Sequence, residues 1–166
     1  MNMFTYSVDA DGVATIVWDT PGKTMNVMSV DAFVELEGLV DKALADDAVK
    51  GVILTSEKPD FAAGMDLNVF SQDRDQAGEN PAQWIFDWIM SVHRLLRKIE
   101  RAGMDPKTLK GGKPFATALP GTALGIGLEL PLATHRIFAA DNPKARIGLP
   151  EIMIGLIPGG GGTTRL

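Results

Sequence analysis

Two glutamates set in apolar surroundings carry the chemical interest of this sequence. Glu129 sits inside GTALGIGLELPLATHR (121–136), where Gly121, Gly125 and Gly127 lead into an apolar run. Glu151 is flanked by Pro150 and Ile152, just after Ile147, Gly148 and Leu149. Burying an unpaired carboxylate is expensive, so such a group is either solvated or tuned for proton transfer. Two of them suggest general acid and base work. Two further segments, FAAGMDL (61–67) and the stretch 121–127, use small residues to bring the backbone close to something at the start of a helix. N–H groups at such places carry partial positive charge, and two aimed at one point make an oxyanion hole for a carbonyl oxygen. Each segment alone is satisfied by tight turns and close packing. Beside a pair of carboxylates they point to catalysis.

Other motifs lead nowhere. Gly22-Lys23-Thr24 matches the tail of a phosphate-binding loop, but Val17 stands where that motif needs a glycine. The glycines of 121–127 lack the spacing of a dinucleotide fingerprint. His93, among Arg94, Arg97 and Lys98, reads as a surface residue, and His135 stands alone beside Arg136. No second His with Glu at ligand spacing accompanies either, so no metal is expected. The chain has no cysteine, which excludes disulfides, thiolate zinc sites and cysteine nucleophiles. Sixteen basic against twenty-one acidic residues leave no basic surplus for nucleic acid or an anionic membrane. With neither a secretory signal nor a bilayer-spanning apolar run, a soluble, cytoplasmic protein is expected.

The elements that must position these groups follow from pattern. With 166 residues, 45% hydrophobic and 22% charged, the chain reads as one globular domain. Two β-rich runs, 4–8 and 13–18, flank an Asp-Gly hairpin signal. Ser29 is the expected N-cap of a helix over 30–44, with Phe33, Leu36, Val40 and Leu44 on one face. A buried strand is expected over 49–55, a polar loop over 71–81, and a long helix marked by Trp84, Trp88, Val92, Leu95 and Ile99. A second loop over 103–112, strands at 115–119 and 137–140, and a helix opening near Gly125 complete an α/β alternation. The end, through the glycines 159–162 to Leu166, reads as the first turn of a helix and hence as a fragment of a longer chain.

Residues 61–67, 121–130 and 148–165, in that order and together with Asn26 in TMNVMS, resemble the enoyl-CoA hydratase, or crotonase, superfamily. The wording PGKTMNVMS and the run from IGLPE to PGGGGTTRL are most similar to the N-terminal hydratase part of bacterial multifunctional fatty-acid oxidation proteins. The resemblance spans essentially the whole chain, 1–166. It implies a spiral of repeated β-β-α units, incomplete at the C-terminus, and an acyl-CoA thioester as substrate with no tightly bound cofactor. By motif position it implies backbone oxyanion donors at Met65 and Ile126, catalytic glutamates at 129 and 151, and CoA or substrate contacts from Lys23, Ala62, Ala63, Gly64, Asp66 and Gly125. The implied reaction is hydration of a trans-2-enoyl-CoA to a 3-hydroxyacyl-CoA in β-oxidation. Alternatives are a Δ3-Δ2 enoyl-CoA isomerase, needing one base, or a non-catalytic acyl-CoA-binding module. Implied for the full-length protein are a 3-hydroxyacyl-CoA dehydrogenase on the same chain and either a homo-oligomer, such as a trimer, or a complex with a thiolase.

Overall fold

A computed structural model describes residues 2–67 and 80–166. The expected hairpin opens the chain: β1 (Phe4–Val8) and β2 (Val13–Trp18) pair antiparallel, Phe4 opposite Trp18. Asp9 closes the turn by accepting from the N–H groups of Asp11 and Val13, both at 2.9 Å. Gly12 has φ +84°, and a Cβ there would meet the Ala48 carbonyl at 2.5 Å, so glycine is required.

From β2 onward every pairing in the main sheet is parallel. β3 (Gly51–Ser56), β4 (Phe115–Leu119) and β6 (Arg136–Ala139) extend it in the order β1-β2-β3-β4-β6. Parallel neighbours need crossovers, and three helices supply them. α1 (Val30–Ala45) joins β2 to β3, α2 (Pro81–Arg101) lies between β3 and β4, and α3 (Ile126–Leu132) lies between β4 and β6. Ser29 caps α1 through the Ala32 N–H at 3.1 Å, as its sequence position suggests. Asn80 does the same for α2 through Gln83, with Pro81 in the first turn. The polar stretch expected over 71–81 falls largely outside the described residues.

A second, narrower ladder runs beside the main sheet. Met28 bridges Met65, Ala62 bridges Ala123, and β5 (Ala123–Leu124) pairs with β7 (Ile147–Gly148), all parallel. Among the described residues, successive turns therefore repeat one plan: a strand in the sheet, a short rung on the ladder, then a helix. This is the expected β-β-α spiral. Its fourth turn ends in a 3-10 helix, Glu151–Ile154, followed by a short α4 (Gly162–Arg165).

The core lies between sheet and helices. Trp18 stacks on Phe4 at 5.3 Å and meets the edge of Phe61 at 5.9 Å. Phe33, Leu36 and Val40 of α1 and Leu95, Leu96 and Ile99 of α2 are buried with them. One expectation needs correction: β3 is not buried on both faces. Val52 and Leu54 point inward while Ile53 is exposed, so only one face of this strand is packed. Among the described residues no helix is long and apolar enough to cross a membrane.

Candidate active site

The ladder delivers the site. Ala63 donates to the carbonyl of Asn26 and Asp66 to that of Met28, each at 2.9 Å, while Leu124 donates to Ala62 at 3.1 Å. Segments 62–66 and 123–126 are thereby clamped side by side. Two glycines let them touch: a Cβ on Gly127 would reach that of Ala62 at 2.8 Å, and Gly64, at φ +109°, lies against Leu124. Immediately past these contacts come the N–H groups of Met65 and Ile126. Neither has an acceptor among the described residues. Both residues line one cavity of about 700 Å³.

Two carboxyl groups share that cavity. α3 is short because Pro131 cannot donate to Gly127, and the chain leaves it through tighter bonds from Ala133 to Leu130 and Thr134 to Pro131. Within it Glu129 is 2% exposed, and its Oε1 accepts from the N–H groups of Gly160 at 2.8 Å and Gly162 at 2.9 Å. Glu151, at the start of the 3-10 helix, lines the same cavity; its Oε1 comes within 3.2 Å of where a Cβ on Gly125 would stand. Its buried Oε2 has no hydrogen-bond partner among the described residues. The remaining wall is apolar, from Trp88, Ile89 and Val92 of α2 and from Met153, Ile154 and Ile157.

Electrostatics set Glu129 apart from surface acids. Burial pushes the Glu129 pKa up; the Gly162 N–H opposes this, the Glu151 charge adds to it, and the Gly160 N–H and His93 oppose it in turn. The net direction is up. Two carboxyls beside two unclaimed peptide N–H groups can polarise a carbonyl and move protons next to it.

The sequence-derived residues divide cleanly. Glu129, Glu151, Met65, Ile126, Ala63, Gly64 and Gly125 all line the cavity. Ala62 does not: it is fully buried under Gly127, where it packs rather than faces a ligand. Asp66 is half-buried between the lining residues Met65 and Leu67, and Lys23 lies on the exposed turn after β2. His93 is half-buried and close enough for its charge to act on Glu129, which corrects its reading as a surface residue. The Gly160 and Gly162 donors carry no sequence mark beyond the glycine run itself. Any residue can supply a peptide N–H, so the donors become visible only once the loop is folded. His135 has a structural task, its Nδ1 accepting from the Phe115 N–H at 2.9 Å.

Residues 9–166 match the enoyl-CoA hydratase/isomerase family. The chain is 39% identical over 165 residues to the fatty acid oxidation complex subunit alpha of Idiomarina loihiensis, covering 98% of this chain and 21% of that protein. To the subunit of the same name from Shewanella amazonensis it is 34% identical over 166 residues, with the same coverage. It thus spans about a fifth of the length of these curated relatives. Among solved structures, an enoyl-CoA hydratase from Geobacillus kaustophilus superposes with a TM-score of 0.79 at 27% identity, over 99% of this chain and 55% of that one. An enoyl-CoA hydratase from Thermoplasma volcanium does so at 0.77 and 24% identity, over 98% and 57%, which speaks for the fold. A cavity with two glutamates and two unclaimed peptide donors, on a β-β-α spiral matched along nearly its whole length, leads to one assignment: the chain belongs to the enoyl-CoA hydratase/isomerase family.

Proposed function

We propose that this chain, as a single domain over 1–166, adds water across the double bond of a trans-2-enoyl-CoA. The observation that carries the reading is convergence: Glu129, Glu151 and the N–H groups of Met65 and Ile126 meet on one apolar cavity. The thioester oxygen docks between the two N–H groups, which draws electrons from C3 toward the carbonyl. Water held between the carboxyls attacks C3 through its oxygen. Glu129, whose Oε1 is held by the Gly160 and Gly162 N–H groups, takes the released proton. The C2=C3 electrons pass into an enolate on the oxyanion donors, and Glu151 returns a proton to C2. Atoms balance, and no tightly bound cofactor is needed. The apolar wall from α2 and residues 153–157 suits the acyl chain, and a volume of about 700 Å³ lies in the ordinary range for a small-molecule site.

The test is hydration of crotonyl-CoA by Glu129→Gln and Glu151→Gln in the full-length protein. Each loss should be on the order of 10²–10⁴-fold. Near-full activity in either variant sinks the two-carboxyl mechanism. A 3-enoyl-CoA assayed in parallel separates hydration from isomerisation, which one base can manage. Binding of acetyl-CoA without any turnover supports a binding module instead.

Wider roles follow from the relatives' names. Two relatives named as alpha subunits of a fatty acid oxidation complex support placing this domain in cytoplasmic β-oxidation, with a 3-hydroxyacyl-CoA dehydrogenase on the same chain and either a thiolase partner or self-assembly. Lys23, three residues ahead of Asn26 on the first rung, remains our candidate for the nucleotide end of CoA, with Gly64, Asp66 and the Ala62–Ala63 backbone beside the thioester.

A further inference from the structure

The donors that hold Glu129 belong to a glycine run that leads into the short α4. Residues 159–162 are four consecutive glycines, and Gly161 has φ +94°. Such a chain has the greatest conformational freedom a sequence can offer. Thr164 ties the Gly161 carbonyl through its Oγ1 at 2.8 Å, and Arg165 holds the Gly160 carbonyl. Its Nη1 donates to the Gly160 carbonyl at 3.0 Å, on the same residue whose N–H reaches Glu129. Its Nη2 donates to Glu100 Oε2 at 3.2 Å, and Arg97 grips that same oxygen at 2.6 Å. Glu100 stands on the last turn of α2, the helix that walls the cavity. The Arg165 side chain is only 15% exposed, so this tie is partly shielded from water. Gly161 makes room for it, because a Cβ there would collide with Arg165 Nη1.

We infer that Arg165 is a positioning residue for Glu129: braced on Glu100, it orients the Gly160 peptide so that its N–H meets the carboxylate. The inference rests on the acid–base reading of Glu129 given above. Arg165 touches no reacting atom. The groups acting on the Glu129 carboxyl are Glu151 from the 3-10 helix, His93 from α2, and the N–H groups of Gly160 and Gly162. Freeing the Gly160 peptide withdraws a stabiliser of the ionised form and leaves burial and the Glu151 charge less opposed. The base then becomes available only at higher pH.

The test compares Arg165→Gln, Arg165→Lys and Glu100→Gln in the full-length protein, following kcat and KM for crotonyl-CoA hydration against pH, with thermal midpoints in parallel. Loss of one good hydrogen bond corresponds to about a tenfold change, or roughly one pH unit. In Arg165→Gln the acid limb should therefore move up by about that much, with kcat at a given pH on that limb down about tenfold and KM little changed. The other two variants should move the limb the same way by less. A limb that stays in place in all three, whatever happens to the midpoint, overturns the inference and leaves Arg165 a structural tie. Should Arg165→Gln not fold, the other two decide. An unmodified protein that hydrates nothing overturns the functional reading itself, and this inference with it.

Discussion

Glu129 lives in a balance of opposed forces. Removing its carboxylate from water raises its pKa, and the two peptide donors, which can serve only an acceptor, pull it back part of the way. The net upward shift has a consequence for stability. A carboxyl with a higher pKa folded than unfolded binds its proton more tightly in the native state. Between the unfolded value and the raised folded one, the native state holds more protons, so stability falls as pH rises through that window. Glu129→Gln removes the titration and keeps a carbonyl oxygen for both N–H donors. Its thermal midpoint should equal or exceed that of the unmodified protein at neutral pH, and the advantage should shrink as pH drops below the folded pKa. Midpoints measured from mildly acidic to neutral pH check this. A variant less stable at neutrality than in acid, relative to the parent, contradicts it.

At the scale of elements, what the sequence revealed tracked what local physics controls. The hairpin, α1 with its Ser29 cap and the long α2 were all legible, because a 3.6-residue period and a capping hydroxyl act within a few residues. The ladder was not: its rungs are two residues long or single bridges, too short to show any alternation. The carboxylates and their glycine segments could be picked out by type, whereas their common cavity depends on turns far apart in the chain. Lys113 shows the same limit. Nothing in the sequence marks it out, yet its Nζ donates to the carbonyls of Ala43 and Leu44 at 2.9 Å and of Asp46 at 2.6 Å. The Ala43 and Leu44 carbonyls belong to the last turn of α1 and Asp46 is its C-cap, so this one ammonium caps the helix and pins it to the start of β4. Lys113→Met keeps the apolar stem and removes the donors. It should destabilise the fold by about 2 kcal/mol, as expected for hydrogen bonds from a charged group. The urea midpoint at unchanged slope measures it, and a shift within error would make the cap dispensable.

Across the whole molecule, the site is a by-product of stacking one turn of the spiral on the next. Asn26 is where the first two turns are locked. It is fully buried, its Oδ1 accepts from the Thr20 N–H at 2.8 Å, and its Nδ2 lies within 3.1 Å of the Trp18 carbonyl and 2.9 Å of both Ser56 Oγ and the Phe61 carbonyl. One amide thus joins the end of β2, the end of β3 and the entry to the segment that presents Met65. Its own backbone carbonyl receives Ala63. Shape alone does not account for the residue, because aspartate has the same outline but no N–H to give. Asn26→Asp would set a buried charge against the Trp18 and Phe61 carbonyls and leave both without this donor. Each buried group left unsatisfied costs about 1–3 kcal/mol, more beside a charge, so the loss should be at least about 3 kcal/mol. Because segment 61–66 carries an oxyanion donor, variant protein that still folds should also lose kcat rather than simply bind substrate less tightly. Denaturant melts combined with steady-state kinetics separate the two effects. A variant with normal stability and normal turnover would show that the first rung holds its register without the amide, and that the position of Met65 is set from the Ala62–Ala123 side alone.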